Sequence, residues 1–242
     1  MNENVFIVGK LQPLSDHQLQ QINQSVKFSL PDGYKSFLGQ LGFGSINELL
    51  MIEEPDPGFI QNNFLDYMDF WNWEVVEETR ALNGLTIART IDGDIIEIID
   101  DRLSPFLILP RHSDLPVKFP DFSSVIGYYD QRYDFEGNLY FDPYVEWQQE
   151  NINIGKVMVE NLKIIQQIHE DFLANYQPDS VFNANTQPKY MMREIGGWVY
   201  FDKLSGSSIR IKYQTSFKYQ ATALFDFINR LLEQAQANIL DK

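Results

Sequence analysis

The 242-residue chain contains no cysteine, which excludes disulfide bonds and thiolate metal sites. Every apolar run is far shorter than the about 18 residues that a membrane-spanning helix needs. The opening residues, MNENVFIVGKLQPLSD, lack the basic region and the apolar run of a signal peptide. We therefore expect a cytoplasmic protein that does not enter a membrane.

Histidine is also scarce, because His17, His112 and His169 are far apart and none belongs to an HExxH pair. The adjacent residues of RHSD, 111–114, would point apart in a strand or turn, so they do not form a nucleophile with its base and orienting group. The sequence therefore predicts no metal, no cofactor and no catalytic residue.

Carboxylates are abundant, and an enzymatic alternative depends on them. The run of acids between residues 92 and 101 lacks the ligand spacing of a helix-loop-helix calcium loop, and a tight Asp-Gly-Asp hairpin turn accounts for its first part. A glycosidase would need only two acids roughly 5 to 9.5 Å apart. The sequence marks no such pair, so this alternative predicts a pocket with converging acids of perturbed pKa.

Positive charge is missing from one long stretch. No Lys or Arg lies between Lys35 and Arg80, where nine acids occur. Residues 1–150 carry 25 acids and 9 Lys+Arg (−16), whereas residues 151–242 carry 9 acids and 10 Lys+Arg (+1). Such an acidic surface repels phosphate backbones and attracts basic proteins by long-range steering. We expect a basic protein partner and no nucleic acid; the alternative is that the charge only keeps the chain soluble.

Hydrophobic spacing predicts several elements in the first part of the chain. Helices are expected after the Ser15 capping box, from Pro31 to a stop at Gly42, and from the sixties to Leu82. Alternating residues over 85–109 predict a hairpin that crosses IDGD, followed by a third strand, FLIL. The segments DFSSVIGYYDQ and PYVEWQQ are predicted as two further helical pieces.

A second pattern follows residue 150. A long helix over IGKVMVENLKIIQQIHEDFLANY, three strands (YMMREI, WVYFDK and SIRIKYQ) and a final helix are expected. The predicted face of the long helix consists of Val157, Leu162, Ile165, Ile168, Phe172 and Leu173. The sequence therefore predicts an α+β fold with domains 1–150 and 151–242, the smaller helix–three-strand–helix unit being packed against the larger one.

A set of short motifs lies in the first unit: Leu30, Pro31, Tyr34, Phe37, Leu38, Gly42 and Gly44, then Gly93 and Asp94 at the hairpin. Over residues 11–148 their order resembles the SUKH superfamily, which includes the yeast Smi/Knr cell-wall synthesis regulators. The chain departs from the family in having Gly42-Phe43-Gly44 where two adjacent glycines are usual. The resemblance implies a mixed or antiparallel sheet backed by helices that binds a partner without catalysis. Most bacterial members are similar to cytoplasmic immunity proteins that neutralise a polymorphic or contact-dependent toxin, often a nuclease.

The segment DFWNWEVVEE, residues 69–78, is the candidate contact surface. On a helix, Trp73 and Val76 would enter the core and Trp71 would be partly exposed beside acids, as an aromatic anchor in a charged rim. Alternatively, both tryptophans are buried between the two units. The predicted partner-binding residues are Glu53, Glu54, Asp56, Asp66, Asp69, Trp71, Glu74 and Glu78. The leading hypothesis is an immunity protein that binds a basic toxin domain, and the alternative is an intracellular regulatory scaffold; the oligomeric state is left open.

Overall fold

A computed structural model describes residues 5–155, 158–183 and 187–240, and the chain forms two compact units. The first unit contains residues 5–7 and Leu11–Tyr144, and the second contains Val8–Lys10 and the chain from Val145 onward. Each unit has a sheet packed with helices, so the predicted α+β class is confirmed. The predicted boundary at residue 150 falls inside a strand of the second unit.

The first unit is built on an eight-stranded mixed sheet. Its strands are β1 Phe6–Ile7, β2 Gly44–Ile46, β3 Leu50–Asp56, β4 Leu85–Thr90, β5 Ile95–Ile98, β6 Phe106–Leu109, β7 Val117–Phe119 and β8 Tyr140–Pro143. Their order is β1-β8-β2-β3-β4-β5-β6-β7, and only the β1–β8 pair is parallel among these described strands. The predicted hairpin and third strand are confirmed as β4, β5 and β6.

Three helices, α1 Asp16–Gln24, α2 Asp32–Leu41 and α5 Phe122–Arg132, contribute side chains to the core on one face of this sheet. The predicted capping box begins α1, because the Ser15 hydroxyl accepts the Gln18 N–H while the Gln18 side chain accepts the Ser15 N–H. Helix α2 stops at Gly42 as predicted. Gly42 has φ +80°, and a Cβ atom there would lie 2.0 Å from the Gln12 carbonyl oxygen, so only glycine fits.

The opposite face of the sheet is covered by residues 59–82, which we call the cover segment. It contains the short helices α3 Phe59–Asn63 and α4 Glu78–Leu82 and a 3₁₀ helix, Leu65–Phe70. Its buried side chains are Ile60, Met68, Trp71, Val76 and Ala81, and they pack against Ile95, Ile99, Leu107 and Leu109 of the sheet. Longer helices therefore back one face of the sheet, and a segment of short helices joined by irregular stretches backs the other.

The predicted single helix from the sixties to Leu82 is wrong. Trp71 has an extended backbone (φ −92°, ψ 143°), which ends the 3₁₀ helix. The Asn72 side chain then accepts the Glu74 N–H at 3.0 Å, and this local hydrogen bond favours a turn over a helix. The segment lies flat across a sheet, and its buried residues have no 3.6-residue period.

The predicted helix over PYVEWQQ is also wrong, because this stretch contains the end of β8 and the start of the strand β9, Trp147–Asn153. Asp142 and Pro143 lie in β8, where they pair with Ser45 and Gly44, instead of capping a helix. An Asp-Pro pair suits the start of a helix, but pairing with a distant strand outweighs this local preference.

The second unit is built on a five-stranded antiparallel sheet. Its other strands are β10 Ser180–Phe182, β11 Lys189–Met192, β12 Gly197–Phe201 and β13 Ser208–Gln214, and the order is β10-β11-β12-β13-β9. Two helices, α6 Met158–Asn175 and α7 Lys218–Leu240, supply the rest of its core. The three predicted strands and the two predicted helices are confirmed.

The second unit differs from the prediction at one face of α6, and it also includes a short segment from near the start of the sequence. Leu173 is largely exposed instead of lying on the core face of α6, and Val157 lies outside the described residues. The segment Val8–Lys10 joins this unit through Gln214, whose side chain accepts the Lys10 N–H at 2.9 Å and donates to the Lys10 carbonyl at 3.1 Å.

Candidate protein-binding surface

Trp71 fixes the cover segment to the sheet. Its side chain is 6% exposed, and its indole N–H donates to the Pro110 carbonyl at 2.9 Å. Its ring also packs edge-to-face against Phe70 and Trp73. The expectation that Trp71 is a partly exposed anchor is therefore wrong. Trp73, which was assigned to the core, is only half-buried, and its N–H donates to the Met68 carbonyl at 2.8 Å.

Large apolar side chains are exposed on the outer side of the cover segment. They are Leu65, Tyr67, Phe70 and Val75, with exposed fractions between 48% and 60%. Single exposed apolar residues are ordinary, whereas four within eleven residues of sequence form a feature that needs an explanation.

Acidic side chains alternate with these apolar groups. Asp66, Asp69, Glu74 and Glu78 are all exposed, and none of them makes an ion pair with a described residue. Glu77 differs, because it lies 3.5 Å from the Arg80 guanidinium. We call the exposed residues Leu65, Asp66, Tyr67, Asp69, Phe70, Glu74, Val75 and Glu78 the acidic–aromatic surface.

The remaining predicted acids lie on β3, outside this surface. Glu53 is neutralised by Arg89, whose Nε lies 2.8 Å from a Glu53 carboxylate oxygen and whose guanidinium also covers the Phe59 ring. The Asp56 carboxylate accepts the Gly58 N–H at 2.8 Å and shapes the turn into the cover segment. Glu54 is exposed. The structure thus divides the predicted acids into a free set on the cover segment and a set on β3 that includes an ion-paired member.

Basic groups occur where the acidic stretch ends. The Lys118 ammonium lies 2.7 Å from the Asp101 carboxylate, and the Arg80 guanidinium lies 3.9 Å from the same carboxylate. The hydrogen bond from Lys118 and those from the N–H groups of Leu103 and Ser104 lower the pKa of Asp101 to about 2. These cations stabilise Asp101 locally and leave the acidic–aromatic surface uncompensated.

The residues of the short motifs in the first unit have structural positions. Leu30, Tyr34, Phe37 and Leu38 are buried in the core of the first unit. Pro31 precedes the first residue of α2. A Cβ atom on Gly44 would lie 2.4 Å from the Phe141 ring, and Gly93 has φ +93° in the hairpin turn.

Asp94 is the fully buried carboxylate of this motif. It accepts the Arg111 N–H at 2.8 Å and the Tyr129 hydroxyl at 3.2 Å, and the Arg132 guanidinium lies 3.4 Å away. These contacts join the β4–β5 turn to the start of the chain after β6 and to α5. A buried carboxylate with this many donors acts as a structural link.

Two buried titratable groups were not anticipated from the sequence. Glu97 on β5 is fully buried; it accepts the Thr86 hydroxyl at 3.1 Å through one oxygen, and its other oxygen has no described partner. Burial raises the pKa of Glu97 to about 8. In the second unit, burial lowers the pKa of His169 to about 4, and its Nε2 shares a hydrogen bond with the Tyr190 hydroxyl. Glu97 follows Ile95 on a strand face that is otherwise apolar, which is the sequence signal for its burial.

The acids that could have formed a cation cluster are separated by their contacts. Asp92 accepts the Tyr133 hydroxyl, and Asp94, Glu97 and Asp101 have the separate partners given above. Within residues 5–155, 158–183 and 187–240, no group of three or more His, Asp or Glu side chains could hold a metal ion. No helix in that part of the chain combines the length and apolarity required to cross a membrane. A scan of family models and searches of curated proteins and of solved structures found no match to this chain.

Proposed function

We propose that this protein is a non-catalytic binding protein that neutralises a basic toxin domain by direct contact, as a cytoplasmic immunity protein. The acidic–aromatic surface of the cover segment is the proposed contact surface. The observation that carries the proposal is the combination of four exposed apolar side chains with four acids that have no described cationic partner.

The chemistry of that surface suits a protein partner. Aromatic side chains such as Tyr67 and Phe70 supply contact area at a small cost in conformational entropy, and they are enriched in interface hot spots. The surrounding acids would attract a basic domain from a distance and orient it before contact. A nuclease must hold phosphate groups and therefore offers a matching basic surface.

The cover segment also gives this surface a rigid support. Trp71 and Val76 anchor it to the sheet from below, so the exposed side chains project from a backbone that is already ordered. Binding to an ordered surface avoids part of the entropy cost of association. The resemblance of residues 11–148 to the SUKH superfamily supports the same class of function, because most of its bacterial members are similar to immunity proteins.

Charge reversal tests the proposal. The triple variant Asp66→Lys, Asp69→Lys and Glu74→Lys should slow association with the toxin-like product of a neighbouring reading frame by about 10-fold or more at low salt. Surface plasmon resonance over a range of salt concentrations would measure this rate, and survival of co-expressing cells would measure protection. Glu53 is omitted because Arg89 already neutralises it.

The second unit offers a matched control. Glu160, Asp226 and Glu233 are exposed on its two helices, and changing them to lysine alters the net charge by the same amount. Equal slowing by both triple variants would show that only total charge matters and would remove the acidic–aromatic surface from consideration. Lack of protection by the unaltered protein would overturn the immunity function itself.

A further inference from the structure

The two sheets have four outer edges, and one of them differs from the rest. Strands β1, β7 and β10 contain 2, 3 and 3 residues, whereas β9 contains 7. Proteins protect sheet edges with short strands, lysine, proline or a bulge. The sequence of β9, WQQENIN, contains neither lysine nor proline, and its pairing with β13 runs without a register shift. This edge is long, and Glu150 is the one charged residue on it.

The hydrogen bonds at both ends of β9 show which groups face outward. The Glu146 carbonyl accepts the Thr215 N–H, and the Ile154 N–H donates to the Ser207 carbonyl, so even-numbered residues face β13. Alternation then directs the N–H and C=O groups of the odd-numbered residues to the outer side. These residues are Trp147, Gln149, Asn151 and Asn153, and all four side chains are exposed. No described strand pairs with that outer side.

We propose that β9 pairs with β9 of a second copy of this chain, so that two five-stranded sheets join across a twofold axis. Antiparallel self-pairing matches each outward N–H of one copy with an outward C=O of the other copy. The charge of residues 151–242 is only +1, from 10 Lys+Arg and 9 acids, so two copies of this part repel each other little. Repulsion between the two copies would come from the strongly acidic residues 1–150, and salt would screen this repulsion.

The charge on β9 excludes one register, and the position of Trp147 decides between the two that remain. A twofold axis at Glu150 would place two carboxylates directly opposite each other, which is unfavourable. Axes at Gln149 and at Asn151 both avoid this contact. An axis at Asn151 would place Trp147 opposite Gly155, beyond the end of β9, whereas an axis at Gln149 places Trp147 opposite Asn151 and Glu150 opposite Gln148 of the other copy. We therefore infer the axis at Gln149. This register forms about six main-chain hydrogen bonds between the copies. Gln149 would then face its own counterpart in a hydrogen-bonded pair, with the two Cα atoms about 5.5 Å apart.

The absence of cysteine makes a crosslinking test specific. A Cα separation of about 5.5 Å is within the range that a disulfide spans. The Gln149→Cys variant should therefore form a covalent dimer on mild oxidation. The Asn153→Cys variant should stay uncrosslinked, because residue 153 lies opposite residue 145 of the other copy. Asn153 lies on the same strand as Gln149 and is also exposed. Crosslinking of both variants to the same extent, or of neither, would overturn this register.

Sedimentation velocity over a concentration series tests the association itself. The unaltered chain should be a dimer whose dissociation constant falls as salt rises, and Gln149→Lys should raise that constant at least about 10-fold because two lysines meet at the axis. Gln234→Lys on exposed α7 is the matched control and should leave it unchanged. A monomeric unaltered chain would overturn the proposal. If the unaltered chain were monomeric and Gln149→Lys abolished the toxin complex, the edge would bind the toxin instead of a second copy.

Discussion

Replacing Trp71 by alanine should lower the free energy of unfolding by about 4 kcal/mol, because the change leaves a cavity between the cover segment and the sheet. The same change removes the indole N–H that donates a hydrogen bond to the Pro110 carbonyl at 2.9 Å. Urea unfolding followed by circular dichroism would measure the loss. The destabilisation should appear in the first unit, since Trp71 packs with Ile95, Leu107 and other residues of that sheet.

Two related variants separate the causes of that loss. Trp71→Phe keeps an aromatic ring and loses mainly the hydrogen bond to the Pro110 carbonyl. It should lower the free energy of unfolding by about 1 kcal/mol and leave a smaller cavity than Trp71→Ala does. Trp73→Ala should cost less than Trp71→Ala, because Trp73 is half-buried. If Trp73→Ala proved the more damaging change, the assignment of Trp71 as the anchor would be wrong.

Replacing Glu97 by glutamine should change the free energy of unfolding more favourably at pH 7 than at pH 4, and the difference between the two effects should be about 3 kcal/mol. Burial raises the pKa of Glu97 from 4.5 to about 8, and each unit of pKa shift corresponds to about 1.4 kcal/mol. Glutamine keeps an acceptor for the Thr86 hydroxyl and has no charge to bury. Urea titrations of both proteins at several pH values would measure the difference.

The sign follows from which state binds the proton. Above about pH 4.5 the unfolded chain releases the Glu97 proton, whereas the folded chain keeps it until about pH 8. The contribution of this group to the free energy of unfolding is therefore complete below pH 4.5 and is lost as the pH rises toward 8. The glutamine variant should lack this fall. Parallel pH profiles for the two proteins would mean that Glu97 is already ionised in the folded state.

Local signals predicted the elements that a regular period defines. Helix α1 has its capping box, α2 has its glycine stop, and α6 and α7 have continuous apolar stripes, so each was predicted from its own residues. Strands β4, β5 and β6 were predicted because they are apolar or alternate clearly around the Asp-Gly turn. These elements carry most of the core in both units.

The elements that were predicted wrongly lack a regular hydrophobic period. The cover segment buries Ile60, Met68, Trp71 and Val76 at spacings of 8, 3 and 5 residues, because its shape follows the sheet beneath it. Strand β9 has only one buried apolar residue, Ile152, so no hydrophobic alternation marks it. Polar edge strands depend on pairing with a neighbour, and that pairing is not written in the strand itself.

The candidate surface was predicted in part for the same reason. Glu54, Asp56, Asp66, Asp69, Glu74 and Glu78 are exposed, as their charge favours, and their role in binding stays a prediction. The roles of Trp71 and Trp73 were interchanged, because the helical geometry assumed for them does not occur there. The ion pair of Glu53 with Arg89 joins neighbouring strands β3 and β4 and required their pairing to be known.

The attachment of Val8–Lys10 to Gln214 has a consequence for synthesis of the protein on the ribosome. These residues emerge early, yet the side chain that holds them is made 204 positions after Lys10. Strand β1 likewise waits for β8, since Phe6 pairs with Tyr140. At 5 to 20 residues per second, the gap between Lys10 and Gln214 corresponds to about 10 to 40 s. Residues Val8–Lys10 therefore lack their native partner until about 204 further residues have been made, and the second unit is completed only after Gln214 has been made.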